Sequence, residues 1–192
     1  MKVAIVDLAY GNIGSIVLAF ERLGAAPAVT ADPGELKSAD RVILPGVGAA
    51  GYAMRRIDEL GLRQALRSLE KPALGICLGM QLLFECSDEA STECLGIIPG
   101  HVRTLKPAPD RPVPHMGWSA LDVRDPDIGL CNGDYVYFAH SYVADNGEAT
   151  VATAYYGREI PAVVRRGNWL GAQFHPERSG EAGARFLEAF LQ

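Results

Sequence analysis

Residues 73–81 read Ala73-Leu74-Gly75-Ile76-Cys77-Leu78-Gly79-Met80-Gln81. Ala73 to Ile76 suits a short buried strand, and the apolar run from Leu78 to Glu85 reads as a helix starting directly behind it. A strand feeding straight into a helix is the repeating unit of parallel sheets. Working outward, Lys2–Asp7, Pro27–Thr30 and Asp40–Leu44 read as further strands. Between them lie a helix capped by Ser15 and stopped by Gly24, a turn at Asp32-Pro33-Gly34, and a helical stretch from Gly51 to Leu69 that Gly61 can interrupt. The expected fold is therefore α/β: an open, largely parallel sheet flanked by helices.

Beyond residue 95 the texture changes to short strands broken by Gly, Pro and Asn. Arg166-Gly167-Asn168 separates Pro161–Arg165 from Trp169–Phe174 as a hairpin would. Ser179–Leu191 closes the chain as an amphipathic helix, with Phe186, Leu187, Phe190 and Leu191 on its apolar face. These strands are expected to extend the parallel sheet in antiparallel fashion, making residues 1–192 a single domain.

Gly75-Ile76-Cys77-Leu78-Gly79 is a G-x-nucleophile-x-G arrangement with cysteine as the nucleophile. A sharp strand-to-helix turn strains the central residue, so its neighbours must be small. The turn also lifts the sulfur to a helix N-terminus, where free N–H groups favour a negative atom. The Leu78 N–H would point at a developing oxyanion. On its own the pattern suits a small buried cysteine equally well. Gln173-Phe174-His175-Pro176-Glu177 adds a base and a carboxylate. Pro176 keeps His175 extended, and side chains two apart then share a side, so Glu177 can steady the imidazole. Nucleophile, base and orienting acid are the parts of a triad. Pro45-Gly46-Val47-Gly48 follows the third strand, where two glycines permit close backbone approach to a ligand.

These motifs, in this order, resemble the class I glutamine amidotransferases over nearly the whole chain. Gly75–Gln81 (GICLGMQ), Pro114–Trp118 (PHMGW), His140–Val143 (HSYV) and Gln173–Ser179 (QFHPERS) are similar in particular to the glutaminase subunits of imidazole glycerol phosphate synthase. Residues 10–15, YGNIGS, resemble that group's first loop. The resemblance implies that Cys77 attacks the carboxamide of L-glutamine, that His175 moves protons and that Glu177 orients His175. It implies an oxyanion hole from the Leu78 N–H and an N–H of the Gly46–Val47 segment. Gly48, Gln81, Glu89, Ser141 and Tyr142 would hold the amino-acid end of glutamine, Glu89 by pairing with its ammonium. Asn12, Trp118, Tyr137 and Arg178 would meet a (β/α)8-barrel cyclase subunit in a heterodimer. That partner combines the ammonia with a phosphoribulosyl aminoimidazole-carboxamide intermediate. It yields imidazole glycerol phosphate and aminoimidazole-carboxamide ribotide, in histidine biosynthesis. No cofactor is implied. Arginine at 178, where lysine is frequent, and Asp7-Leu8-Ala9 in place of Asp-Tyr-Gly depart from the pattern.

Three other readings stay open: a glutaminase serving another synthase, a non-catalytic partner-binding subunit, and a free-standing cysteine hydrolase acting on γ-glutamyl peptides. A net charge of −5 argues against nucleic-acid binding. No apolar run approaches a membrane span, and Met1–Asp7 does not form a signal peptide, so a cytoplasmic protein is expected. Cys86, Cys94 and Cys131 form no CxxC pair and read as incidental thiols. His101, His115, His140 and His175 lack ligand spacing for a metal.

Overall fold

The computed structural model describes all of the 192 residues except Tyr10, Asn12 and Val47. Its main sheet is built from β1 (Val3–Val6), β2 (Ala28–Thr30), β3 (Arg41–Leu44), β4 (Ala73–Ile76), β8 (His115–Val123), β9 (Tyr135–His140), β11 (Thr150–Tyr155), β12 (Glu159–Arg166) and β13 (Trp169–Ala172). The order is β2-β1-β3-β4-β13-β12-β11-β8-β9. From β2 to β13 every neighbour is parallel, and from β13 to β9 every neighbour is antiparallel. The parallel sheet with an antiparallel extension is thus one continuous sheet.

Alternation along the central strands sends side chains to two cores. Ile5, Ile43, Leu74 and Ile76 face one side, where α1 (Ile13–Arg22) and α6 (Gly180–Leu191) lay down Ile16, Phe20, Phe186, Leu187 and Phe190. Ala4, Val6, Val42, Leu44 and Ala73 face the other. There α2 (Pro33–Ser38), α3 (Ala50–Glu59) and α4 (Leu62–Arg67) contribute Leu36, Ala53, Met54, Ile57, Leu62 and Leu66. Burial on both faces is what a near-continuous apolar strand such as Val3–Val6 requires.

Four local expectations change. Asp32-Pro33-Gly34 does not make a plain turn: Asp32 caps α2 by accepting the Glu35 N–H at 2.9 Å, with Pro33 in the first helical turn, where its missing N–H costs nothing. Ser15 lies inside α1 rather than capping it. The helix behind Cys77, α5, is a single turn, Leu78–Gln81. It stops because the chain bends into a second, four-stranded sheet that sequence periodicity does not reveal. That sheet holds β5 (Cys86–Ser87), β6 (Thr92–Glu93), β7 (His101–Thr104) and β10 (Tyr142–Ala144), in the order β10-β7-β5-β6. Gly61 does divide the 51–69 stretch, at φ 67°.

The single turn of α5 meets the ends of β3 and β4 backbone to backbone. A Cβ on Gly46 would lie 2.6 Å from the Gly79 nitrogen, and one on Gly75 would lie 2.7 Å from the Gly79 carbonyl carbon. A Cβ on Gly79 would overlap the Leu44 carbonyl oxygen. Gly79→Ala is expected to lower stability by about 3 kcal/mol, because rigid backbone cannot yield as a side chain can. Gly14→Ala, whose Cβ meets nothing within 4 Å, should change it by less than about 1 kcal/mol. Urea unfolding measures both; equal midpoints for wild type and Gly79→Ala would contradict the close approach.

Candidate active site

The topology explains why three motifs distant in sequence meet. β3, β4 and β13 are adjacent and parallel, so their C-terminal ends lie side by side. Gly46 and Gly48 follow β3, Cys77 follows β4, and His175 and Glu177 follow β13. This is the end of an open α/β sheet where ligands bind.

Cys77 has φ 53° and ψ −110°, a state costly for any residue with a Cβ. Its N–H donates to the Ala172 carbonyl (2.7 Å), and its own carbonyl accepts from Met80 (3.1 Å) and Gln81 (3.2 Å). The turn is therefore pinned to β13 on one side and to α5 on the other. The sulfur lies 3.9 Å from the Ala139 carbonyl oxygen and 3.9 Å from the Gln173 side-chain nitrogen.

His175 Nδ1 stands 2.8 Å from Glu177 Oε1, with both side chains buried. His175 also shares the cleft with Cys77, near enough for the two side chains to act on each other's charge. Burial pulls the imidazole down, but its interactions with Cys77 and Glu177 outweigh it and raise it to about 10. Its backbone is clamped as well. The His175 N–H donates to the Tyr137 carbonyl at 2.9 Å. The Ser179 hydroxyl donates to the His175 carbonyl at 2.6 Å and accepts the Tyr137 N–H at 3.0 Å.

Beside the sulfur opens a cleft of about 380 Å³ lined in part by Gly48, Gln81, Glu89, Ser141 and Tyr142. All five residues expected to hold glutamine therefore share one cavity with Cys77 and His175. Glu89 has a structural task too: its Oε2 accepts the Ala50 N–H at 2.7 Å, at the start of α3. The oxyanion expectation needs correction at Gly46. The Leu78 N–H is not free, because it donates to the Gly46 carbonyl at 3.3 Å. Val47, the other expected donor, lies outside the described residues, as does Asn12 of the expected partner face. The remaining three form one cluster. Trp118, half exposed, packs edge-on to Tyr137 with ring centroids 6.0 Å apart, and the Arg178 guanidinium lies 4.7 Å above the Tyr137 ring.

Gln173, Ser179, His115 and His140 carry parts of the site that sequence reasoning did not assign. The two histidines sit inside PHMGW and HSYV, yet only strand register brings them together: they are directly opposed on β8 and β9, with His115 Nδ1 3.0 Å from His140 Nε2. Burial lowers both to about 4. Of the other thiols, Cys86 lies 3.2 Å from His101 Nδ1, Cys94 is buried and pushed up to about 11 chiefly by desolvation, and Cys131 is exposed. Among the described residues, no group of three or more His, Cys, Asp and Glu is placed to hold a metal.

These shifts act in opposite directions on stability. His175 binds its proton more tightly when folded, so its contribution is complete below pH 6.5 and is lost as pH rises through about 10. His115 and His140 bind theirs more weakly, so their penalty is absent above pH 6.5 and complete below about 4. Urea unfolding across this range should show maximal stability near pH 6.5, and His175→Ala should flatten the alkaline limb. A wild-type profile that keeps rising above pH 8 would contradict the assignment.

The chain matches the family described as Glutamine amidotransferase class-I over residues 5–192. It is 47% identical over 194 residues to an imidazole glycerol phosphate synthase subunit HisH of Xylella fastidiosa, covering 100% of this chain and 97% of that protein. It is 49% identical over 193 residues to the protein of the same description in Xanthomonas axonopodis pv. citri, covering 99% and 96%. Among solved structures, one described as a glutamine amidotransferase superposes with a TM-score of 0.76 at 23% identity, covering 99% of each chain. A Trypanosoma brucei CTPS glutaminase domain superposes at 0.67 with 16% identity, covering 100% of this chain and 94% of that one. The two solved structures share the fold; the relatives, nearly half identical from end to end, go further. The protein belongs to the class-I glutamine amidotransferases, in the branch of the imidazole glycerol phosphate synthase subunits HisH.

Proposed function

We propose that this chain hydrolyses L-glutamine to glutamate and ammonia as the glutaminase subunit of imidazole glycerol phosphate synthase, and that a (β/α)8-barrel cyclase subunit consumes the ammonia. The observation that carries the reading is the buried His175–Glu177 pair at 2.8 Å, which shares one small cleft with the Cys77 sulfur.

The reaction follows from those contacts. With the proton already held on His175, the Cys77 sulfur attacks the side-chain carboxamide carbon of glutamine as a thiolate. The protonated His175 returns the proton to the departing nitrogen, and ammonia leaves behind a glutamyl thioester. Water, deprotonated by His175, attacks the thioester and releases glutamate and the thiol. Glu177 keeps Nδ1 protonated and stabilises the imidazolium through both halves of the cycle. Glu89 pairs with the substrate ammonium, while Gly48, Gln81, Ser141 and Tyr142 shape the remainder of the pocket.

The bond from the Leu78 N–H to the Gly46 carbonyl supports a resting state with its oxyanion donor engaged elsewhere. That bond must open before Leu78 can serve the tetrahedral intermediate. The cyclase docks, in this reading, over Trp118, Tyr137 and Arg178. It activates the site only if it binds the open loop more tightly than the closed one, since equal affinity shifts nothing.

Two experiments test the proposal. Cys77→Ala should abolish glutamine hydrolysis, while Cys86→Ala, Cys94→Ala and Cys131→Ala retain most of it. Glu177→Gln should fold but lose roughly 10²- to 10⁴-fold in kcat. Substantial turnover in Cys77→Ala would end the mechanism. Separately, the chain alone should be slower than the assembled synthase with its nucleotide ligand by roughly 10²- to 10³-fold, the cost of a missing oxyanion donor. Equal rates, with complex formation verified, would remove the closed-loop reading and leave the glutaminase assignment standing.

A further inference from the structure

His115 and His140 lie outside the Cys77–His175–Glu177 set, yet they are wired to its pocket. Both are buried, 2% and 5% exposed. His140 Nδ1 lies 2.7 Å from the Tyr142 carbonyl oxygen, and His115 Nε2 lies 3.0 Å from the Ser119 hydroxyl. A carbonyl oxygen can only accept, so His140 Nδ1 carries a proton. Burial keeps both imidazoles neutral at pH 7. His140 Nε2 is then bare and accepts, which makes His115 Nδ1 the donor in their 3.0 Å bond. His115 Nε2 is bare in turn and accepts from Ser119. One main-chain carbonyl thus dictates both tautomers and the direction of the hydroxyl. The His115 ring cannot turn away, because it is stacked between Tyr156 and Phe138 at 3.9 and 4.8 Å.

The same Tyr142 carbonyl accepts a second bond, from Gln81 Nε2 at 2.9 Å. The other proton of that amide goes to Gln173 Oε1 at 3.0 Å, which turns the Gln173 nitrogen toward the Cys77 sulfur. Gln81 and Gln173 are buried, so each of these bonds is costly to lose.

We propose that His140, locked by His115 in its Nδ1–H tautomer, is a positioning residue for glutamine hydrolysis. It fixes the Tyr142 carbonyl and, through it, the Gln81–Gln173 amide pair, of which Gln81 lines the Cys77 cleft and Gln173 lies buried against the sulfur. The inference rests on the glutaminase reading of that cleft. It assigns the histidines of PHMGW and HSYV a joint task that neither the triad nor the substrate contacts require.

Two amide substitutions separate this role from simple space-filling. Asparagine at 140 can set its side-chain nitrogen where Nδ1 stands and keep the bond to Tyr142. Glutamine is closer in volume, but its amide reaches the Nε2 position. With the cyclase partner present, His140→Asn should keep the KM for glutamine within about threefold of wild type. His140→Gln and His140→Ala should raise it roughly tenfold, the worth of one buried hydrogen bond, with kcat changed much less. A KM for His140→Gln equal to or below that of His140→Asn would overturn the proposal. A second measurement does not depend on the variants folding. In the wild-type protein at pH 7, ¹⁵N chemical shifts should give both histidines a protonated Nδ1 and a bare Nε2; the opposite tautomer or an imidazolium at His140 would also overturn it. Absence of glutamine turnover in the wild-type complex would overturn the glutaminase reading and this one together, whereas normal wild-type turnover with failure of either test overturns this one alone.

Discussion

Cys77 is held at φ 53°, ψ −110°, and the surrounding backbone is arranged to make that state tolerable. A strained residue persists only where its neighbours over-determine it. Here the Cys77 N–H is taken by β13, and the first turn of α5 closes on the Cys77 carbonyl. The turn is pressed so tightly against the end of β3 that Gly46, Gly75 and Gly79 have no room for a Cβ. The three glycines convert sheet rigidity into the position of one sulfur. Removing any of them shifts backbone rather than a side chain, and the packed sheet gives backbone little room to move.

With the elbow fixed, chain order and strand order do the rest. β13 comes almost a hundred residues after β4 yet lies beside it, so His175 is delivered to Cys77 by sheet pairing and not by proximity in sequence. β9 then completes the enclosure. Its Tyr137 carbonyl takes the His175 N–H, its Tyr137 ring carries Arg178 and meets Trp118, and its last residue, His140, leads into the Ser141–Tyr142 wall of the cleft. The strand that braces His175 is therefore also the strand that presents the aromatic cluster. A displacement of β9 would be felt at both places, so under the proposed docking partner contact has a short mechanical route to His175.

Much of this was legible in the sequence where local chemistry and tertiary structure agree. The apolar runs of β1, β3 and β4 match their burial on both faces, and Gly75-Ile76-Cys77-Leu78-Gly79 states its own turn. The His175–Glu177 pairing was expected too, but not its means: His175 is extended, and a 3-10 turn over Pro176–Arg178, rather than a continued extended chain, brings Glu177 onto the imidazole. The misses share a cause: they depend on pairing between distant segments or on competing uses of the same residues. Asp32-Pro33-Gly34 carries turn residues that are equally good helix-start residues, and only the packing of Leu36 decides for α2. The helix after Leu78 has enough apolar residues to continue, but Glu85 onward is recruited by the second sheet, whose two-residue strands are too short to show a period. His115 and His140 are twenty-five residues apart and become partners only through the register of β8 and β9.

The three buried imidazoles near the cleft illustrate how partner chemistry sorts identical side chains. His175 faces a carboxylate and a sulfur, so its charged form is stabilised and it can shuttle a proton. His140 has no such anion: desolvation by burial holds it neutral, the Tyr142 carbonyl only partly offsets this, and positive charge at His115 or His175 pushes it further toward neutrality. The histidine chain also cannot drain the proton that catalysis moves. From Ser119 through His115 and His140, every donor already points at an acceptor, and the chain terminates on the Tyr142 carbonyl, which cannot take up a proton near neutral pH. A proton wire needs a basic terminus, and this chain has none. In the proposed reaction the mobile proton is thereby confined to the Cys77–His175 couple, and the neutral pair beside it serves as fixed geometry.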